Sequence, residues 1–195
     1  MKLQNICVFC GSSVGARSEY AEAARQLGKL LAAVGIGLVF GGGKVGLMGV
    51  LADAVLVNGG RATGVIPYAL VAREVAHDGL SDLRVVHTMH ERKALMADLS
   101  QAFIALPGGL GTFEEFCEAL TWSQLGIHAK PCGLLNVNGY YDPLLRLFDR
   151  AVQEGFVQPE NRRLVLDERE PEALLQSIKN FQPRPAEAWI DSTTR

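Results

Sequence analysis

The sequence has little of the composition that marks a nucleic-acid or membrane protein. Its 19 Lys and Arg residues against 21 Asp and Glu residues give a formal net charge of -2, without the basic runs that would bind a nucleic-acid backbone or an anionic bilayer. No apolar stretch reaches the roughly 18 residues that a bilayer-spanning helix needs, and the first residues enter a strand-like run without a secretion signal. These absences favour a small-molecule ligand over nucleic acid or membrane as the partner, and a cytoplasmic location.

Cysteine and histidine are also scarce, with four of each. Cys7 and Cys10 form a C-x-x-C, but side chains alternate along a strand, so this spacing sends the two sulfurs to opposite faces. No second C-x-x-C accompanies them, and the histidines lack the spacing of metal ligands. We therefore expect no metal site, and cysteines that behave as small buried residues in a reducing compartment.

What the sequence does contain is an alternation of short apolar runs with segments of helical periodicity. This rhythm predicts an α/β fold, a parallel sheet with helices on both of its faces, in a single domain. The length of 195 residues with 48% hydrophobic composition suits one core of that kind. The predicted strands are residues 5–9, 37–40, 62–66, 83–87, 102–106 and 131–135, and the predicted helices are residues 18–33, 47–58, 89–99, 112–124, 142–154 and 171–180.

Glycine-rich loops follow three of the predicted strands, at residues 10–15, 41–49 and 107–112. The carboxyl ends of parallel strands share one edge, where glycine lets backbone amides approach an anion. The candidate phosphate contacts in the first two loops are Gly11, Ser12, Ser13, Gly42 and Gly43. The second loop matches G-x-G-x-x-G, but no acidic residue follows about 20 positions later, which disfavours a redox dinucleotide. A tight turn without a ligand stays an alternative for this loop.

Two charged residues stand out at the same edge. Glu115 follows the P-G-G-x-G turn, but with Thr112 it also forms T-x-x-E, the pattern of a helix capping box. Arg92 heads an otherwise apolar helical stripe, where it either serves a ligand or simply extends to water or pairs with a carboxylate. The residues alone leave both alternatives open.

The chain resembles the LOG (LONELY GUY) family of cytokinin riboside 5'-monophosphate phosphoribohydrolases, also known as lysine decarboxylase-like proteins. The resemblance covers roughly residues 5–180 and rests on the segments CVFCGSS, VFGGGKVGLMG, GVIP, MHERK, PGGLGTFEE, TWSQLGIHAKP and LLNVNGYYD. It implies a Rossmann-like domain, taken as residues 1–181, and a homodimer. The prolines and polar residues of residues 182–195, which lie outside the match, predict a flexible tail. No cofactor is expected. The resemblance also implies catalysis by Arg92 and Glu115, and substrate contacts at Glu74, Lys93, Gly109, Leu110, Gly111, Thr112, Phe113, Glu114 and Thr121.

A nucleoside 5'-monophosphate explains why an anion-binding turn and a carboxylate occur together. The phosphate needs the amides, whereas the sugar carbon C1' becomes positively charged as the N-glycosidic bond breaks and needs the carboxylate. The hypothesis is hydrolysis of AMP or its N6-modified relatives to free base and ribose 5-phosphate. A non-catalytic nucleotide-binding protein is the main alternative. A pyridoxal-phosphate decarboxylase is a third, although Lys44, Lys93 and Lys130 stand in no recognisable cofactor motif.

Overall fold

The computed structural model describes residues 3–71, 76–80 and 82–182, which form one seven-stranded sheet. The strands are β1 (Asn5–Phe9), β2 (Gly37–Phe40), β3 (Ala62–Pro67), β4 (Asp82–Val86), β5 (Ala102–Ala105), β6 (Cys132–Leu135) and β7 (Val165–Glu168). Every pairing between neighbouring strands is parallel. The strands β1, β2, β5 and β6 are buried along nearly their whole length, as expected for short apolar strands covered on both faces.

The helices are α1 (Ser18–Ala33), α2 (Gly46–Val57), α3 (Tyr68–Val71), α4 (Met89–Asp98), α5 (Leu110–Gln124), α6 (Asp142–Gln153), α7 (Pro159–Arg162) and α8 (Pro171–Asn180). They divide between two faces of the sheet. One apolar core contains side chains of α1, α2 and α8, and the other contains side chains of α4, α5 and α6. The predicted α/β fold with helices on both faces is therefore confirmed.

The two cysteines of the C-x-x-C lie on different sides of the sheet. Cys7 belongs to the core beneath α4 and α5, whereas Cys10 belongs to the core beneath α1 and α2. All four cysteines carry free thiols. The two side chains thus lie on opposite sides, as predicted from the spacing, although β1 ends at Phe9, one residue before Cys10.

The strand order β4-β3-β2-β1-β5-β6-β7 places a switch point between β1 and β5. The chain leaves β1 in one direction to build β2, β3 and β4, and it returns to the other side of β1 to build β5, β6 and β7. The loops that follow β1 and β5 diverge from this point, and a crevice opens between them. The Gly11 amide donates to the Pro107 carbonyl at 3.1 Å and ties the two loops together at their base.

Sequence periodicity located most of these elements to within two residues, with three exceptions. It missed β7 and the one-turn helices α3 and α7, all of four residues. Such short elements carry too little periodicity to be distinguished from loops. Within the described residues, no helix combines the length and the apolar character needed to cross a bilayer.

Candidate active site

A cavity of about 280 Å³ lies at the carboxyl edge of the sheet, over the ends of β1, β2 and β5. All three glycine-rich loops contribute to its wall, as the sequence predicted for the shared edge. The predicted site residues that line it are Gly11, Ser12, Arg92, Gly109, Leu110, Gly111, Thr112 and Glu115. Thus one cavity brings together the proposed anion-binding turn, the carboxylate and the guanidinium.

The amino terminus of α5 supplies amides that suit an anion. Gly109 is the N-cap with an extended backbone, and the helix begins at Leu110. The first amides of a helix have no partner within it, and the helix dipole adds partial positive charge there. Because Leu110 and Gly111 line the cavity, a phosphate bound in it can be held by main-chain donors.

The position of Thr112 rules out the capping-box alternative for Glu115. A capping box requires the threonine at the N-cap, but here Gly109 is the N-cap and Thr112 lies within the first turn. The Thr112 side chain is buried and approaches Gly108 so closely that a β-carbon on residue 108 would collide with it. Glu115 lies one turn into α5, half-buried, with its side chain on the cavity wall.

Arg92 reaches the cavity from the first turn of α4. Its side chain is only 5% exposed, and its Nη2 donates to the Gly41 carbonyl at 3.2 Å. Gly41 directly follows β2, and a β-carbon there would overlap the Arg92 guanidinium unless the arginine moved. The Arg92 Nη1 lies 3.8 Å from the Met89 sulfur, and Met96 on the same helix is buried.

The charges of Glu115 and Arg92 both act on the thiols beneath the cavity. Burial raises the pKa of Cys10, the Glu115 carboxylate raises it further, and Arg92 partly opposes this. The pKa of Cys7 is raised by the same two causes, in the same order. These thiols stay protonated and neutral at physiological pH, so Cys10 contributes an apolar wall instead of a nucleophile.

Lys93, predicted to contact substrate, points away from the cavity toward α5. Its ammonium donates to Glu114 at 2.5 Å and to Glu118 at 3.0 Å. Burial alone lowers the pKa of Lys93, but the hydrogen bonds to the two carboxylates outweigh it and leave the pKa above its ordinary value. The ammonium is therefore engaged in an ion-pair network between α4 and α5.

The structure places several other predicted contacts outside the cavity wall. Phe113 packs against the Tyr140 and Tyr141 rings, and the Thr121 hydroxyl donates to the Cys117 carbonyl at 2.7 Å on an exposed part of α5. Ser13 lines a neighbouring cavity. Gly42 and Gly43 lie under the segment at 76–77, since the Gly42 carbonyl accepts from the His77 amide and Gly43 pairs with Ala76. Glu74 lies outside the described residues, and substrate roles for all of these residues stay predictions.

The sequence did not predict eight of the residues that line the cavity. The additional residues are Val8, Phe9, Cys10, Gly41, Met48, Leu70, Met89 and Met96. Gly41 had a signal, because it is the first residue after a predicted strand. The methionines and Leu70 had none, because an apolar side chain facing a cavity has the same pattern as one facing the core. In the described ranges, no cluster of three or more His, Cys, Asp or Glu side chains could hold a metal ion.

Comparison with known proteins shows what this chain is similar to. The family described as possible lysine decarboxylase matches residues 48–178. A probable cytokinin riboside 5'-monophosphate phosphoribohydrolase of Oryza sativa subsp. japonica, LOGL2, is 49% identical over 183 residues, covering 94% of this chain and 75% of the relative. The cytokinin riboside 5'-monophosphate phosphoribohydrolase LOG1 of Arabidopsis thaliana is 48% identical over 183 residues, covering 94% of this chain and 86% of the relative.

Solved structures share the fold at lower identity. A molybdenum cofactor binding protein from Rippkaea orientalis superposes with a TM-score of 0.67 at 25% identity, covering 92% of this chain and 97% of that one. The molybdenum cofactor carrier protein of Chlamydomonas reinhardtii gives a TM-score of 0.69 at 22% identity, covering 91% and 97%. At this distance the likeness establishes the architecture, whereas the sequence relatives establish the family.

Proposed function

We propose that the cavity of this chain hydrolyses cytokinin riboside 5'-monophosphates. The chain belongs to the LOG family, whose family model carries the description possible lysine decarboxylase. The reaction cleaves the N-glycosidic bond and releases the free base and ribose 5-phosphate. The observation that carries the proposal is the presence of Glu115, Arg92 and the first turn of α5 on one cavity wall. Each of the three meets a different demand of this reaction.

The phosphate of the substrate binds at the amino terminus of α5. Leu110 and Gly111 offer first-turn amides, and Gly11 and Ser12 approach from the loop after β1. The cavity, at about 280 Å³, lies near the lower limit of roughly 300 Å³ for small-molecule sites, which suits a sugar phosphate with its base toward the opening. The hydrogen bonds to the phosphate mainly orient the sugar, and they form in the ground state as well as in the transition state.

Glu115 acts on the sugar carbon C1'. As the bond to the base breaks, the ribose acquires oxocarbenium character, and a carboxylate one helical turn beyond the phosphate site stabilises that charge. Arg92 is buried on the same wall, and its positive charge favours the ionised form of a nearby carboxylate. Charge stabilisation that appears only as the bond breaks lowers the barrier, so Glu115 affects kcat more than KM.

Two chemical routes use this carboxylate, and they leave different traces. In one route Glu115 takes a proton from the attacking water, and in the other it attacks C1' and forms a glycosyl ester that water then hydrolyses. Intact-protein mass spectrometry of acid-quenched turnover distinguishes them. An added mass of ribose 5-phosphate, located on the α5 peptide after digestion, identifies Glu115 as the nucleophile. Turnover without any such adduct identifies Glu115 as the general base.

A substrate panel tests the activity itself. Purified protein is incubated with AMP, N6-isopentenyl-AMP and the corresponding riboside without phosphate, and free base is measured by liquid chromatography. We expect free base from the monophosphates and much less from the riboside. Tight nucleotide binding without free base would contradict the proposal and select the non-catalytic nucleotide-binding alternative.

The decarboxylase description of the family has little support from the lysines near the strand ends. Lys93 is held by two carboxylates that raise its pKa, so it is a poor Schiff-base nucleophile. Lys44 pairs with Asp78 at 2.8 Å, and the Lys130 ammonium donates to the Ala97 carbonyl at 2.7 Å. We expect no carbon dioxide from lysine when pyridoxal phosphate is added.

We also propose that the enzyme is a cytoplasmic homodimer. Large apolar side chains are exposed at the cavity and close to it in the chain: Leu110 and Met89 line the cavity and are 86% and 41% exposed, and Tyr68, 77% exposed, lies two residues before Leu70 of the cavity wall. A second copy of the chain would cover these side chains and shield the reacting sugar from bulk water. The four free thiols suit a reducing compartment.

A further inference from the structure

Three successive carbonyl groups at the entry to α5 are each held by a donor from a distant part of the chain. The Tyr141 hydroxyl donates to the Leu106 carbonyl at 2.6 Å, the Gly11 amide to the Pro107 carbonyl at 3.1 Å, and the Tyr140 hydroxyl to the Gly108 carbonyl. These carbonyls directly precede Gly109, the N-cap of α5. The backbone is thus fixed over three consecutive peptide groups, just before the amides proposed to receive the phosphate.

Fixing a carbonyl also fixes the amide of the same peptide group. In a trans peptide the C=O and N–H bonds point in opposite directions within one plane. The bonds to the Pro107 and Gly108 carbonyls therefore set the directions of the Gly108 and Gly109 amides. Glycine at 108 and 109 would otherwise leave this turn with wide conformational freedom. The Tyr140 hydroxyl thus sets the Gly109 amide, and the Tyr141 hydroxyl anchors the Leu106 carbonyl at the start of the turn. Together they fix the turn from which the Leu110 and Gly111 amides project.

The two tyrosines are themselves held firmly. Asn136 is buried, its Oδ1 accepts from the Tyr141 amide at 2.7 Å, and its Nδ2 donates to Asp142 at 2.7 Å. The chain reverses at Asn138, whose φ of 52° lies in the left-handed region that asparagine tolerates. Tyr141 is fully buried.

The surroundings of Tyr140 keep its hydroxyl a donor. Its ring packs against Tyr20 and Phe113, with ring centroids 5.7 and 6.3 Å away. Burial raises the pKa of both Tyr140 and Tyr141. Both hydroxyls therefore keep their protons at physiological pH and donate to the carbonyls.

We propose that Tyr140 and Tyr141 are positioning residues for the phosphate end of the substrate, acting through the backbone of residues 106–109. Neither hydroxyl needs to touch the substrate, since each is already bonded to a loop carbonyl. This inference rests on the proposed function, because it takes ribose 5-phosphate as the ligand of the α5 amides. The segment LNVNGYYD otherwise has no part in the reaction. The inference assigns it the positioning of the loop before α5.

The test measures phosphate affinity apart from base affinity. Isothermal titration gives Kd for ribose 5-phosphate and for free N6-isopentenyladenine, in wild type, Tyr140→Phe and Tyr141→Phe, alongside KM and kcat for N6-isopentenyl-AMP. Loss of one hydrogen bond corresponds to a change of about three- to tenfold. We expect Tyr140→Phe to raise Kd for ribose 5-phosphate and KM by that factor, with Kd for the base and kcat within about twofold.

Tyr20→Phe is the matched control, because it removes a hydroxyl from a ring that packs edge-on against Tyr140. We expect it to leave both affinities unchanged. Tyr140 is only half-buried, so Tyr140→Phe keeps the test decisive even where Tyr141→Phe fails to fold. An unchanged ribose 5-phosphate affinity in Tyr140→Phe overturns the inference, and so does an equal loss of base affinity, which indicates general loosening.

The inference and the proposed function fail in different ways. Wild-type protein that binds ribose 5-phosphate but releases no base contradicts hydrolysis, while the ratio of affinities among the variants still decides the role of the tyrosines. Wild-type protein that turns over but shows equal ribose 5-phosphate affinity in all variants contradicts only the positioning role. Wild-type protein with no affinity for ribose 5-phosphate overturns the inference outright.

Discussion

Glu115 lies on the cavity wall and away from the cap of the helix that carries it. It lies one turn beyond an N-cap formed by Gly109, so its carboxylate does not cap the helix that carries it. Its side chain instead lines the cavity with Arg92. We therefore expect its replacement to cost the fold little and the proposed reaction much.

We predict that Glu115→Gln lowers kcat for N6-isopentenyl-AMP by about 10²- to 10⁴-fold, the usual contribution of a positioned acid or base. The melting temperature should stay within about 2 °C of wild type, because no cap is lost and the replacement is nearly isosteric. Liquid chromatography of the base and differential scanning fluorimetry measure the two effects. Glu172→Gln, on the exposed face of α8, is the control for amide substitution. A destabilised Glu115→Gln with normal kcat would restore the capping explanation.

Gly41 allows a second prediction at single-residue scale. A β-carbon at this position would overlap the Arg92 guanidinium, so Gly41→Ala should displace the arginine and reduce kcat/KM at least about tenfold. The double-mutant cycle with Arg92→Ala isolates the cause. In the Arg92→Ala background we expect Gly41→Ala to cost almost nothing further. Fully additive losses would mean that Gly41 matters for another reason.

Among the helices, α4 and α5 each carry one charged residue of the cavity, so their spacing sets the distance between those residues. The Lys93 ammonium joins them through Glu114 and Glu118, both on α5. Lys93 directly follows Arg92, and Glu114 directly precedes Glu115. The ion pairs therefore set the spacing between the two helices next to the residues proposed for catalysis.

We predict that Lys93→Met loosens this spacing and lowers both stability and activity. Loss of charged hydrogen bonds from a buried ammonium costs about 1–3 kcal/mol, or roughly 2–12 °C in Tm for a chain of this size. Glu118→Gln, which removes one of the two partners, should act in the same direction with a smaller loss. A substrate-binding role for Lys93 predicts instead a raised KM with unchanged Tm.

The stability effect of Lys93 should depend on pH in a defined direction. Its pKa is higher in the folded protein than in the unfolded chain, so the folded state binds the proton more tightly. The stabilisation is complete below the unfolded value of about 10.4 and is lost as the pH rises through the folded value. Chemical denaturation at pH 8 and above pH 11 should therefore show the gap between wild type and Lys93→Met shrinking at the higher pH.

The pattern T-x-x-E occurs at two helices and has different outcomes. Before α4, Thr88 is the N-cap, its hydroxyl accepts from the Glu91 amide at 3.1 Å, and Glu91 accepts from the His87 amide at 2.8 Å. At α5 the helix starts two residues before Thr112, so the same letters form no cap. The helix start depends on the turn at residues 106–109, and that turn is held by Tyr140, Tyr141 and Gly11.

For the whole molecule, we propose that a second copy of the chain covers the exposed apolar side chains near the cavity. We predict a dimer in light scattering after size-exclusion chromatography, at twice the chain mass of 21.1 kDa. Tyr68→Glu, at an exposed aromatic residue two positions before Leu70 of the cavity wall, should shift the protein toward monomer and reduce its activity. Phe156→Glu is the matched control, because Phe156 is also highly exposed but follows α6. A wild-type monomer with full activity would contradict the dimer.

Much of this molecule was determined by the sequence alone. Helical and strand periods located most elements, because each depends on neighbours a few residues away, and the glycine-rich loops after β1, β2 and β5 indicated the edge where the cavity lies. Arg92 and Glu115 became candidates for catalysis because their residue types are unusual for their positions and match the signatures of a known family. These inferences needed only local pattern.

Tertiary structure alone decided which side chains meet. The switch point between β1 and β5, the pairing of Lys93 with Glu114 and Glu118, and the bonds from Tyr140 and Tyr141 to the loop before α5 all join residues at least 20 positions apart in the chain. Such pairings depend on strand order and helix packing, which periodicity does not encode. The same physical reason explains why the start of α5 could not be read from its own residues: the turn that sets it is held by hydrogen bonds from distant segments.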